Sequence, residues 1–145
     1  MKKISKSLLT LLLVAALTLS FTACNKKTET LEQSNANVTA TYLTDTELGQ
    51  GSKQAIVEVK ADNQTIRFTI HTDETTVGEA LLENNLIAGD EGEYGLYIKT
   101  VNGITADYDI DQSYWAFYID GEYATAGVDS TEISEGSVYR LEYTK

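Results

Sequence analysis

The chain has 145 residues, with 11 Lys and Arg against 22 Asp and Glu, one His, one Cys, one Trp and no Pro. That length holds one modest domain. The acidic surplus repels phosphate backbones and argues against a nucleic-acid partner. A single Cys closes no internal disulfide, and one His without further Cys builds no zinc site of the usual N/S type.

Met1 to Ser7 carries Lys2, Lys3 and Lys6 and no acid, and Leu8 to Phe21 is an uncharged run of 14 residues dominated by Leu, Val and Ala. This is the pattern of a signal peptide. A spanning helix needs about 20 apolar residues, and this run is shorter. It ends in Phe21-Thr22-Ala23-Cys24, which resembles the bacterial lipobox, where the chain is cut before a cysteine that receives a diacylglyceryl group. The expected organisation is a lipoprotein signal peptide over 1–23, lipidated Cys24 with a flexible linker over 24–53, and a folded domain over 54–145. Losing residues 1–23 leaves 8 basic and 22 acidic groups, a net charge of −14. The expected location is the extracytoplasmic face of a bacterial cell membrane, held through the lipid.

Residues 25–53 are mostly polar and show no sustained period of 2 or 3.6, hence the linker assignment; Tyr42-Leu43 is its one candidate for an edge strand. Gln54 to Lys60 carries Ile56, Val57 and Val59, while Gln64 to Ile70 alternates, with Ile66, Phe68 and Ile70 on one face. Asp62-Asn63 between them supplies turn chemistry, so a hairpin is predicted. Thr76 followed by Glu79 forms a capping box, and Val77, Leu81, Leu82 and Leu86 recur at helical spacing up to Gly89. The prediction is one helix of about three turns. An acidic loop, Gly89 to Gly95, then leads to strands at Leu96–Val101, Tyr114–Ile119, Glu122–Thr125 and Val138–Tyr143. Asp120-Gly121 is a type I′ hairpin signal, because both central residues need positive φ. Two strands, one helix and then further strands predict an α+β fold, β-grasp-like, in which a mixed sheet of about five strands packs on one helix.

Ten of the 13 aromatics lie at or beyond Tyr94. They read either as a stacking platform for a ring-bearing ligand or as the filling and edging of a small sheet. Strand parity puts Trp115, Phe117 and Ile119 on one face and Tyr114, Ala116 and Tyr118 on the other, leaving open which face is core. Asp107, Asp109 and Asp111 imitate the start of a calcium loop, but Gln112 and Tyr118 occupy the positions that need Gly and Glu, so the motif fails. His71, beside Thr72 and Asp73, reads as a surface turn residue. No nucleophile-and-base constellation is evident, and the chain is expected not to be an enzyme and to hold no catalytic or metal residues.

Tyr94 to Ile98, Asn102-Gly103-Ile104, Tyr114 to Tyr123, Gly127-Val128-Asp129 and Glu135 to Tyr139 together resemble the transcobalamin-like C-terminal domain family, in its bacterial lipoprotein branch. The resemblance implies a β-grasp domain that lies as a lid over one face of a corrinoid, without the helical domain that covers the other face. It matches Tyr114, Trp115 and Phe117 to the family's aromatic strand and places Phe117 and Ala124 toward the ligand. The candidate ligand-binding residues are therefore Trp115, Phe117, Tyr118, Tyr123 and Ala124. The implied function is a non-enzymatic module with cobalamin or another corrinoid as ligand, linked to uptake through a transporter or surface protein. The alternative is a protein-protein or cell-wall adhesion module with no small ligand.

Overall fold

The computed structural model describes residues 40–145. The expected signal peptide, Cys24 and the expected linker up to residue 39 lie outside the described residues. Nine strands and two short helices follow in chain order: β1 (Thr46–Gly49), β2 (Lys53–Ala61), β3 (Gln64–Thr72), α1 (Val77–Glu83), β4 (Ile87–Gly92), β5 (Gly95–Val101), β6 (Ile104–Thr105), α2 (Tyr108–Asp111), β7 (Tyr114–Ile119), β8 (Glu122–Tyr123) and β9 (Val138–Thr144), with a 3₁₀ turn at Val128–Ser130 before β9. They form a mixed six-stranded sheet, β1-β3-β2-β9-β7-β8, and a three-stranded sheet, β4-β5-β6. Within the large sheet β1–β3 and β2–β9 are parallel and the other pairs antiparallel. Among the described residues, no helix is long and apolar enough to cross a membrane.

Alternation decides the inner face of the large sheet. Ala55, Val57 and Val59 of β2, Ile66, Phe68 and Ile70 of β3, and Tyr139 and Leu141 of β9 are all buried. Against them pack Val77, Ala80 and Leu81 of α1, with Leu86, Val101 and Val128 closing the core. The capping box forms as the sequence predicts: Thr76 Oγ1 accepts from the Glu79 amide at 3.2 Å, and Glu79 Oε2 accepts from the Thr76 amide at 3.0 Å.

The helix is shorter than its apolar spacing predicts. Asn85 takes the left-handed conformation at φ 52°, the Leu86 amide donates back to the Leu81 carbonyl at 2.9 Å, and the Asn85 amide donates to Leu82 at 3.0 Å. These two bonds are a Schellman termination, which asparagine tolerates and which turns Leu86 into the core. Leu82 stays exposed on the solvent side. The expected acidic loop is also a strand, because Gly89 to Gly92 pair with β5 across a register shift at Ala88/Gly89. Its polar residues face solvent on both sides, so it carries no alternation for the sequence to show.

The folded part also begins before Lys53. Tyr42 packs edge-on against Phe68, with centroids 5.6 Å apart, and Thr46–Gly49 joins the sheet alongside β3. Asn102 clasps this segment: its Oδ1 accepts from the Tyr42 amide at 2.8 Å and its Nδ2 donates to the Tyr42 carbonyl at 2.9 Å. Its own carbonyl accepts from the Thr41 amide at 2.8 Å. Residues 40–49 of the expected linker are thus part of the fold, Thr41 and Tyr42 through Asn102 and Thr46–Gly49 through pairing with β3, and neither contact leaves a periodic trace.

Several carboxylates are held ionised by the fold. Lys145 and then Ser113 lower the Asp111 carboxyl from 3.8 to about 2, and hydrogen bonds from the Thr76 amide and hydroxyl lower that of Glu79. Unfolded carboxyls take up protons at the ordinary value while the folded ones resist, so the Asp111 share of this stabilisation is present above 3.8 and is lost as pH falls toward about 2. The urea midpoint is therefore expected to drop across that window, and a midpoint that holds level there would contradict these contacts.

Candidate ligand-binding site

β7 turns into β8 through Asp120 and Gly121, at φ 51° and 88°, so the type I′ prediction holds. The turn is anchored to β9: Asp120 Oδ1 accepts from the Val138 amide at 2.8 Å, Oδ2 from Ser137 Oγ at 3.1 Å, and the Asp120 amide donates to the Val138 carbonyl at 2.9 Å. β8 is only two residues long, and beyond it the Ala124 amide still donates to the Phe117 carbonyl at 2.9 Å.

The register of β7 with β9 runs unbroken from Tyr114 opposite Thr144 to Ile119 opposite Tyr139, so no bulge redirects its side chains. The face left open by the sequence is thereby assigned. Trp115 and Phe117 are 8 % and 9 % exposed and belong to the core. Trp115 meets Tyr143 edge-on at 5.5 Å, and Phe117 stacks on Tyr139 at 6.4 Å. Ala124 is partly buried against the same core. Tyr118 and Tyr123 are brought together on the outer face, edge to face at 5.3 Å, with Tyr123 63 % exposed. Of the five candidates, this pair alone is shaped to present rings to solvent.

Cross-strand pairing extends the outer face into a row that sequence reasoning did not find. Tyr123 is opposite Tyr118, Tyr118 opposite Arg140, Arg140 beside Glu58, and Glu58 opposite Arg67. Glu58 accepts from Arg67 Nη2 at 2.8 Å and from Arg140 Nε at 3.2 Å. The Arg67 bond holds the Glu58 carboxyl below its usual range; burial opposes this and Arg140 reinforces it. The legible signal was that these are the chain's only two arginines and that both sit on solvent-facing strand positions. Shallow grooves flank the turn. One, of about 420 Å³, is lined by Ile119, Asp120, Glu122, Tyr123, Ala124 and Thr125; the other, of about 390 Å³, by Glu58, Asp120, Gly121, Val138 and Arg140. The row offers ring faces, hydroxyls and guanidinium donors, which are means of holding a ligand.

Other singled-out residues lie elsewhere. His71 is inside β3 rather than in a turn, with Nε2 2.5 Å from Glu47 Oε1. Asp107 caps α2, its Oδ1 accepting from the Asp109 and Ile110 amides at 3.0 and 3.3 Å. Among the described residues, no group of three or more His, Cys, Asp or Glu is arranged to hold a metal. Asp129 is wedged against α1 so closely that a Cβ on Gly78 would lie 2.9 Å from its backbone. Its Oδ2 accepts from the Leu96 amide at 3.4 Å, while buried Oδ1 has no partner among the described residues.

The family model for a domain of unknown function, DUF4430, matches residues 74–145. The fold is similar to a solved protein of Ruminococcus gnavus described as a "putative metal binding protein", with 36 % identity and a TM-score of 0.61 over 65 % of this chain and 98 % of that one. It is also similar to haptocorrin in complex with Cbi, at 20 % identity and a TM-score of 0.53, over 63 % of this chain and 25 % of haptocorrin. The latter likeness is one of fold. Among curated proteins nothing matches this chain.

Proposed function

This chain belongs to the same family as the Ruminococcus gnavus protein, and from that premise we propose that it is a non-enzymatic ligand-binding module of β-grasp form. In this reading it is exported, anchored through a lipid on Cys24 to the outer side of a bacterial membrane, and takes a corrinoid as its first candidate ligand. The observation that carries it is the Tyr118–Tyr123 pair, displayed beside an anchored hairpin turn with a groove on either flank. The fold it shares with part of a Cbi-bound protein supports a corrinoid over other ring-bearing molecules. Trp115 and Phe117 contribute from beneath, by fixing β7 against the core.

Magnitudes argue for a partner. A ligand covering roughly 100 Å² of ring surface gains about 2.5 kcal/mol at ~25 cal/mol per Å² before association entropy is subtracted. A single shallow platform therefore binds weakly, and tight capture needs a second surface. A transporter or another surface protein is the proposed source of that surface.

Isothermal titration of the full chain with cobinamide and cobalamin tests the reading. Saturable heat is expected, and Tyr123→Ala is expected to abolish it while leaving the thermal midpoint unchanged, because Tyr123 is mostly exposed. Titrations without saturable heat would overturn the corrinoid reading in favour of an adhesion module.

A further inference from the structure

Arg67 and Arg140 sit on β3 and β9, either side of β2, and both close on Glu58. The chain has 22 acids and only these two arginines, and it places both on one carboxylate. One arginine offsets the charge of Glu58, and a second ion pair at the surface adds little stability. What the second one does add is a positive charge beyond the one that offsets Glu58, with Asp45 beside Arg67 and Asp120 beside Arg140 as the other charged groups nearby. It also adds unspent donors. Among the described residues the Arg140 side chain bonds through Nε and that of Arg67 through Nη2, leaving the other guanidinium N–H groups without a partner. Asp120 shares the groove with Arg140 and keeps its charge, but its two oxygens are turned onto β9 and its approach, each accepting one bond, from the Val138 amide and from Ser137 Oγ.

The unmet capacity of the row is thus for acceptor oxygens, and it lies next to two rings. A guanidinium fork presents paired donors in the geometry of a carboxylate or phosphate, and Tyr118 lies on the neighbouring strand directly opposite Arg140. The geometry points to an oxyanion subsite: Arg140, backed by Arg67, takes the carboxylate or phosphate of a ligand whose flat ring rests on Tyr118 and Tyr123. This inference rests on the hairpin being the ligand-facing element.

The test uses the Nε–H resonances of the full chain in nonionic detergent, where the two arginines give two signals and Arg140→Lys removes one, assigning both. The probes are phenyl phosphate and benzoate, which join a ring to each kind of oxyanion, with inorganic phosphate and phenol as the separate halves. A saturable shift of the Arg140 signal is expected with at least one joined probe, at a concentration about tenfold below that needed by either half. Arg140→Lys is expected to weaken that probe by about tenfold, read at the Tyr118 and Tyr123 ring resonances. An Arg140 signal that neither joined probe moves, or one that inorganic phosphate moves equally well, would overturn the subsite. The titration contains no corrinoid, so it can succeed where the cobinamide titration fails and fail where that one succeeds.

Discussion

Phe68→Ala is expected to lower the free energy of unfolding by about 3–5 kcal/mol, the range for truncating a large buried ring. Phe68 is fully buried at the centre of β3. It pairs across the sheet with Val57 on one side and with Thr46 of β1 on the other, so its ring is shared by three strands. Its edge contact with Tyr42 is also what fastens the entering chain to the core. The cavity left by truncation lies over a strand paired on both edges, whose backbone cannot move in to fill it. Phe68→Leu keeps most of the volume and is expected to cost much less, on the order of 1–1.5 kcal/mol. Urea titration of both variants checks this, and equal midpoints for the two would contradict the packing.

Asn102→Ala is expected to cost about 3 kcal/mol through two separable effects. Asn102 is 1 % exposed and adopts φ 51°, a left-handed conformation that costs alanine roughly 1–2 kcal/mol. Removing its amide also strips partners from the Tyr42 N–H and carbonyl, at about 1–3 kcal/mol for a buried group left unpaired. Asn102→Gly keeps the turn and loses the clasp, so it separates the two effects. Hydrogen exchange at the Tyr42 amide is expected to accelerate in both variants. Unchanged protection of that amide would show that the clasp does not hold residues 40–49.

Much of the fold was legible where side chains alternate or caps have their own chemistry. The β2–β3 hairpin, the Thr76/Glu79 box and the Asp120-Gly121 turn all follow from residues that admit few other conformations. β1 and β4 were not legible. β1 is placed by parallel pairing with β3 and by the hold of Asn102 and Phe68 on Tyr42 just before it, all distant in sequence, and β4 is an exposed polar strand defined by its partner. Helix length was misread because Leu82 continues the apolar spacing while pointing outward, and because Asn85, a left-handed residue without being glycine, ends the helix early.

The site divides along the same line. Parity predicted two faces of β7 but could not say which one the core would take, since both carry aromatic residues. The unbroken β7–β9 register settles it by aligning Trp115 and Phe117 with Tyr143 and Leu141 on the inner side. Arg140 and Glu58 join the tyrosines only through pairings of β9 with β2 and β7, which bring distant segments of the chain together.

Amide chemical-shift mapping of the full chain during titration with cobinamide tests the central claim most directly. The largest changes are expected at Tyr118 to Thr125 and at Val138 to Arg140, where the hairpin and its two grooves meet. Changes gathered instead at Tyr94, Tyr97, Tyr108 and Ile110, the other exposed apolar side chains near the three-stranded sheet, would contradict it.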